Sequence, residues 1–335
     1  MKLKNNLLKT VAAGAAFALS VSAFAEERVR LLTAPTGSIV HTTGAAIASV
    51  GTKHTDMTVL AAPMSGPQIY VPQVNSGQAE FTLMNAADSF NALRGGTGYR
   101  TPYKNLRLAA VGFTNELGVI VSRDSDIHSP ADLKGRRVTG VFSAHKTCEQ
   151  LATAQLANLE LTWDDVQVVP VTHSRTAVQA LADGRADVAM CVPLGQAIVQ
   201  EVNATKPIRF LSLNDSPEAV KITREHFPAG TIRAYKEGAN VGVLSDINVW
   251  SYPFYLIANK DTSEDTVYQL VKAVYENVNE LREVSGVFKR WIPEQMVDAE
   301  LTLPVHDGAR RFYEEKGMWS EAVEASHLEN LKTAQ

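Results

Sequence analysis

The sequence predicts an α/β protein of two lobes joined by two hinge strands, and three observations carry that prediction. Short apolar runs alternate with helical patterns, the mark of strands feeding helices on a mostly parallel sheet. Two strongly β-prone runs, residues 117–122 and 252–258, stand apart from the alternation, with a complete strand–helix series between them. The chain has 335 residues, about twice a typical domain length.

The elements justify themselves in order. Residues 29–33 read as a strand, 34–41 as a small-residue loop and 42–50 as an Ala-rich helix. Residues 57–61 and 81–84 are the next strands. Ser129 can cap a short helix with Pro130 at its first position and Asp132 three residues after the cap, and Gly135 ends it. Strands follow at 138–142, 166–171 and 188–192, with a helix over 174–183 closed by Gly184. A late helix over 264–284 places Val267, Leu270, Val271, Val274, Val278 and Leu281 on one face. The economical architecture puts residues 26–116 and 250–335 in one lobe and 117–249 in the other, with the crossing strands as the hinge. A ligand site then lies between the lobes, at the carboxyl ends of strands.

Composition narrows the function. At 45% hydrophobic and 20% charged residues the chain is a packed globular protein. With 32 basic and 36 acidic side chains it lacks the basic excess of a nucleic-acid binder. Lys2, Lys4 and Lys9, an apolar stretch over 7–19 and the Ala23-Phe24-Ala25 site read as a secretory signal peptide cleaved after Ala25. Its removal takes three Lys and no acid, so the formal net charge goes from −4 to −7. Export places Cys148 and Cys191 in an oxidising compartment. Two readings stay open for them: a disulfide, or two small buried side chains.

The strand-end loops carry the chemistry. Gly37, Ser38 and His41 form the first, Ser65, Gly66 and Gln68 the second, Asn85 and Asp88 the third. In the other lobe, Ser143, His145, Lys146 and Thr147 precede a helix, His173 and Arg175 belong to another loop, and Pro193 to a third. Small polar residues before helices are mostly caps. As a set they suit an anion held on helix N-termini, and His145, Lys146, His173 and Arg175 make that cleft locally basic on an acidic surface. No nucleophile elbow, zinc motif or P-loop occurs, so neither enzyme chemistry, a cofactor nor a metal is expected.

Two longer runs resemble a known family. Pro304-Val305-His306-Asp307-Gly308-Ala309-Arg310-Arg311-Phe312-Tyr313-Glu314-Glu315-Lys316-Gly317 resembles the H-P-G-A-x-x-Y-Y-x-E-x-G signature of TAXI-type solute-binding proteins of TRAP transporters, and Phe227-Pro228-Ala229-Gly230-Thr231-Ile232 resembles their F-P-x-G-T-I segment. Residues 131–138 match D-L-K-G-K-x-V, residues 180–187 match A-L-x-D-G-x-x-D-A, and Asp88 fits the Asp after the third strand. The resemblance implies a type II periplasmic binding protein fold. It implies a monomer that captures an organic anion or amino acid, glutamate among the known ligands, and delivers it to an ion-gradient-driven TRAP permease. The loops depart from the family: Gly66-Pro67-Gln68-Ile69-Tyr70 stands for G-S-x-x-N, and Ser143-Ala144-His145-Lys146-Thr147 for G-S-G-T. His145 or Lys146 is therefore expected to touch the ligand. The alternatives are the ligand-binding ectodomain of a sensor system and a binding protein of the tripartite tricarboxylate type.

Overall fold

A computed structural model describes residues 27–36, 38–143 and 145–335. The leader expected over residues 1–25 and the candidate ligand residue Gly37 lie outside the described residues. The chain starts with three strand–helix units: β1 (Glu27–Thr33) with α1 (Ile39–His54), β2 (Met57–Pro63) with α2 (Pro67–Asn75), and β3 (Phe81–Asn85) with α3 (Ala86–Arg94). The long strand β4 (Leu106–Ser122) leads into a second series. It comprises β5 (Arg137–Phe142), α4 (Lys146–Asn158), β6 (Gln167–Val171), α5 (Ser174–Ala182), β7 (Val188–Pro193), α6 (Ala197–Thr205), β8 (Ile208–Leu211), α7 (Pro217–His226) and β9 (Thr231–Tyr235). A second long strand, β10 (Ile247–Asn259), returns to the first series. Four helices complete the chain: α8 (Glu264–Glu276), α9 (Val278–Val284), α10 (Asp307–Glu315) and α11 (Glu321–Thr333).

The strands form one ten-stranded sheet in the order β2-β1-β3-β10-β4-β7-β5-β6, with β8 on β4 and β9 on β10. The fold is α/β as expected, but the sheet is mixed rather than mostly parallel. β1 is parallel to β2 and β3, and β5 is parallel to β6 and β7. The centre is antiparallel because β4 and β10 run against each other and against the strands they meet. β4 pairs with β10 from Leu106 to Leu117 and with β7 and β8 from Leu117 to Ser122.

Local rules account for the element ends. The single late helix expected over 264–284 is two, because Asn277 leaves helical geometry at φ −121, ψ 26. Its side-chain amide donates to Ala273 O. The apolar face continues across the break: Val267, Leu270, Val271, Val274, Val278 and Leu281 are all buried. Such burial contributes about 1.5–3 kcal/mol per side chain. The helix start at Ser129 is a short 3₁₀ turn, Pro130–Leu133, with the Ser129–Asp132 capping box in place. α2 begins at Pro67, where proline suits the first turn, and carries Pro72 inside it. Pro72 has no amide hydrogen to bond the Gln68 carbonyl. Cys148 on α4 and Cys191 on β7 form a disulfide, with Cα atoms 5.5 Å apart. Among the described residues, no helix is long and apolar enough to cross a membrane.

The runs at 227–232 and 304–317 make packing contacts within the fold. Phe227 is buried, and the Ala229 carbonyl accepts from the Trp250 indole at 2.9 Å. Gly308 lies so close to the Glu264 backbone that a Cβ would collide with it. His306 caps α10 through its Nδ1, Phe312 is buried, and the Tyr313 hydroxyl donates to Ala109 O at 2.7 Å.

Candidate functional site

Four helices that follow strands turn their first residues toward one cavity of about 190 Å³. Val40 lines it from the first turn of α1, and Pro67, Gln68 and Tyr70 from α2. Asn85 and Asp88 line it at the start of α3, and His145, Lys146, Thr147 and Gln150 at the start of α4. Phe254 of β10 closes one wall. A helix start carries partial positive charge and amides without intrahelical partners. Two of these four starts are already occupied: Ser38 Oγ accepts from the His41 amide at 3.1 Å, and Asn85 Oδ1 from the Asp88 amide at 2.8 Å. The other two, at Gly66 of α2 and His145 of α4, carry no side-chain cap. Those starts leave room for a ligand oxygen to act as the cap.

The charged groups are arranged differently from the expected basic cleft. Asp88 keeps an edge on the cavity, but protein atoms crowd its carboxyl. Thr147 Oγ1 donates to Oδ1 at 3.1 Å and Asn85 Nδ2 to Oδ2 at 2.7 Å. Burial pushes the Asp88 carboxyl above the usual range, and these two hydrogen bonds oppose that more weakly. His145 is also crowded. Burial first, and the neighbouring His173 second, hold its imidazole below the ordinary value, so it is neutral at neutral pH. Lys146 pairs with Glu149 at 2.6 Å and is half exposed. Arg175 reaches Glu201 at 3.4 Å on the surface. His173 caps α5 by accepting from the Thr176 amide, and His41 Nδ1 bonds Thr33 Oγ1 at 2.8 Å. Lys146 and Arg175 are thus engaged in ion pairs and His173 in a cap, because each lies beside a nearer partner on its own or the next element.

Of the residues singled out from sequence, Gln68, Asn85, Asp88, His145, Lys146 and Thr147 meet at the cavity. Ser38, His41, Ser65, Gly66, Ser143, His173 and Pro193 are not among its lining residues. Ser38, Gly66 and His173 hold N-cap positions. Ser65 and Ser143 are exposed, and Pro193 pairs with Leu117 in the sheet. The cavity adds Tyr70, Gln150 and Phe254. Tyr70 stood out in the sequence as a departure from the family loop, and Gln150 lies one turn after Thr147. Phe254 carried no signal, since an aromatic in a hinge strand reads as core. Among the described residues, no group of three or more His, Cys, Asp or Glu could hold a metal ion.

A second cavity, of about 140 Å³, is lined by Ser251, Pro253 and Tyr255 of β10 together with Thr114, Arg233 and Arg290. Alternation along a strand puts these side chains on the face opposite Phe254. Glu116, fully buried beside it, is bridged by Arg290 and by Arg233 at 3.5 Å. Thr114 Oγ1 donates to it at 3.0 Å. The Tyr235 hydroxyl is pushed up to about 12, by burial first and then by Glu116.

Solved structures of similar fold include solute-binding and periplasmic binding proteins. A TctC solute-binding protein from Polaromonas superposes with a TM-score of 0.56 at 16% identity, over 88% of this chain and 98% of that one. MatC from Rhodopseudomonas palustris with bound malate gives 0.51 at 15% identity, over 93% and 100%. An R. palustris protein with adipate gives 0.52 at 18% identity, over 93% and 98%. A family model described as the NMT1-like family matches residues 31–317. The TAXI subtype expected from the 304–317 run is not the family matched, and that run is packing rather than site. Because the match takes in most of the chain, the protein belongs to the NMT1-like family.

Proposed function

We propose that the protein is a periplasmic solute-binding protein of the tripartite tricarboxylate type. It encloses a small carboxylate-bearing solute between two lobes and hands it to a membrane permease. The observation that carries this reading is the pair of uncapped helix starts, α2 and α4, facing one cavity from the two strand series. The first amides of α4 suit carboxylate oxygens, joined from α2 by the Gln68 amide, since Pro67 has no N–H and the Ile69 and Tyr70 amides donate to Gly66 O; Tyr70 and Phe254 suit an apolar body. The named relatives with malate and adipate carry ligands of this class. Binding rather than catalysis fits the likeness to a protein named as a solute-binding protein.

On this reading residues 26–116 with 250–335 form one lobe and 117–249 the other, and the monomer is exported by cleavage after Ala25. Two bonds then cross between lobes beside the cavity: Thr147 to Asp88, and Asn91 Nδ2 to Gln150 Oε1 at 3.1 Å. Co-purification with a permease of the tripartite tricarboxylate type tests the partnership. The carboxylate itself is tested by calorimetry with malate, adipate and their amides. Charged hydrogen bonds contribute about 1.5–3 kcal/mol each, so the acid should bind at least about tenfold more tightly than its amide. Equal affinity for acid and amide sinks the proposal.

A further inference from the structure

The Cys148–Cys191 disulfide sits directly behind the cavity wall. Cys148 is the third residue of α4 and follows Thr147, which lines the cavity and bonds Asp88. Cys191 lies on β7 at φ +55, a left-handed conformation that L side chains rarely adopt. It falls where the β4–β7 register shifts, between the Gly118–Val192 and Ile120–Ala189 pairs. Irregularities of this kind concentrate beside functional sites, where they re-aim neighbouring groups. The Cys191 amide donates to Gln155 Oε1 at 3.0 Å, and Gln155 Nε2 donates to Leu117 O at 3.4 Å. Gln155 is itself fully buried on α4. The bulge therefore holds α4 at two points: a covalent bond in the first turn and a buried amide two turns later, tied to the crossing strand β4.

We propose that this disulfide is a positioning element of the binding site. It pins the uncapped first turn of α4 to the β7 bulge and so fixes Thr147 and the helix-start amides against the ligand. The proposal rests on the reading of the cavity as a carboxylate site. The physical reason lies in the first turn itself. Its first amides have no intrahelical partners and no side chain caps it, so the disulfide adds a covalent restraint to the side-chain bonds Thr147–Asp88 and Gln150–Asn91. Donors that fray must be ordered again on binding, which weakens affinity. A disulfide that served only as a staple for the whole fold would act differently. It would restrict the unfolded chain across its 43-residue separation and leave affinity unchanged below the unfolding transition.

The test compares oxidised wild type with Cys148→Ala/Cys191→Ala and with wild type reduced by dithiothreitol. In the reduction, two electrons and two protons turn the disulfide into two thiols while the dithiol closes to its cyclic disulfide. Cys148→Ala/Cys191→Gly is the second variant, since glycine accepts the left-handed position without strain. All are measured well below their melting midpoints, with malate and adipate as probes. We expect affinity to fall at least about tenfold and reoxidation of the reduced protein to restore it. Hydrogen exchange of amides 149–152 should accelerate about tenfold while β1 and β3 stay protected. In a Thr147→Val background, the loss of affinity on reduction should shrink, because part of what is positioned has gone. Unchanged affinity with a lower melting midpoint overturns the proposal, as does exchange that rises uniformly or not at all in α4. Should oxidised wild type bind no carboxylate, the functional reading fails, and the exchange at α4 alone decides whether the tether exists.

Discussion

Asp88 and Glu116 are carboxyls packed into the same protein on opposite sides of β10, and they are satisfied in opposite ways. Glu116 is closed from solvent between two guanidiniums, Arg290 and Arg233, with the Thr114 and Tyr235 hydroxyls as further partners. Arg290 comes from the segment after β10 and Arg233 from β9, so this carboxylate ties three separate parts of the chain together. Asp88 meets only a hydroxyl and an amide, with no cation among the causes that set its pKa, and burial holds that pKa above the usual range. A buried acid paired with arginine is architecture. A crowded acid left to neutral donors at a cavity edge leaves its charge to be balanced by protons or by whatever enters, and such perturbed groups cluster at functional sites.

The largest effect expected from this contrast is on Glu116. Glu116→Ala strands two guanidiniums in a crowded site and should cost on the order of 3 kcal/mol in urea denaturation. A loss below about 1 kcal/mol would mean the triad behaves like an ordinary surface pair. Asp88 is the next test, and its signature is pH rather than size. A carboxyl whose folded pKa is raised contributes stability that is present at acid pH and is lost as pH rises through the folded value. Wild type should therefore lose stability relative to Asp88→Asn as pH climbs from about 4 to 7. A flat or reversed difference between the two proteins would equate Asp88 with a satisfied acid.

Smaller effects are expected at the α4 start. Because the His145 imidazole is held neutral, carboxylate affinity should stay nearly flat from about pH 8 down to about pH 6.5. A steep fall as pH rises through that window would instead make the imidazolium the ligand contact. Lys146→Ala removes a half-exposed i,i+3 pair with Glu149 and should change stability by no more than about 0.5 kcal/mol. A tenfold drop in carboxylate affinity in that variant would show that Lys146 abandons Glu149 for the ligand.

Much of the architecture was legible because it depends on local rules. Alternating apolar runs located β1, β2, β3, β5, β6 and β7, the Ser129–Asp132 box marked a turn start, and the 3.6-residue period of Val267 to Leu281 identified a buried face. The same residues stay buried although Asn277 breaks that helix, since periodicity encodes the face and not the continuity of the backbone. The loops bearing Gln68, Asn85, Asp88 and Thr147 were legible too, because small polar residues before helices mark strand ends. What those side chains meet was not. His145, Lys146, His173 and Arg175 read as a basic cleft in sequence, yet Lys146 and Arg175 pair with glutamates, His173 caps α5, and burial holds the His145 imidazole below its ordinary value. The antiparallel centre of the sheet, the Cys148–Cys191 bond and the joining of Asp88 to Thr147 all link segments far apart in the chain. Period, caps and turns act over a few residues and are written in order along the sequence. Charge balance, burial and disulfide pairing depend on which distant segments are brought together, and only the folded chain decides that.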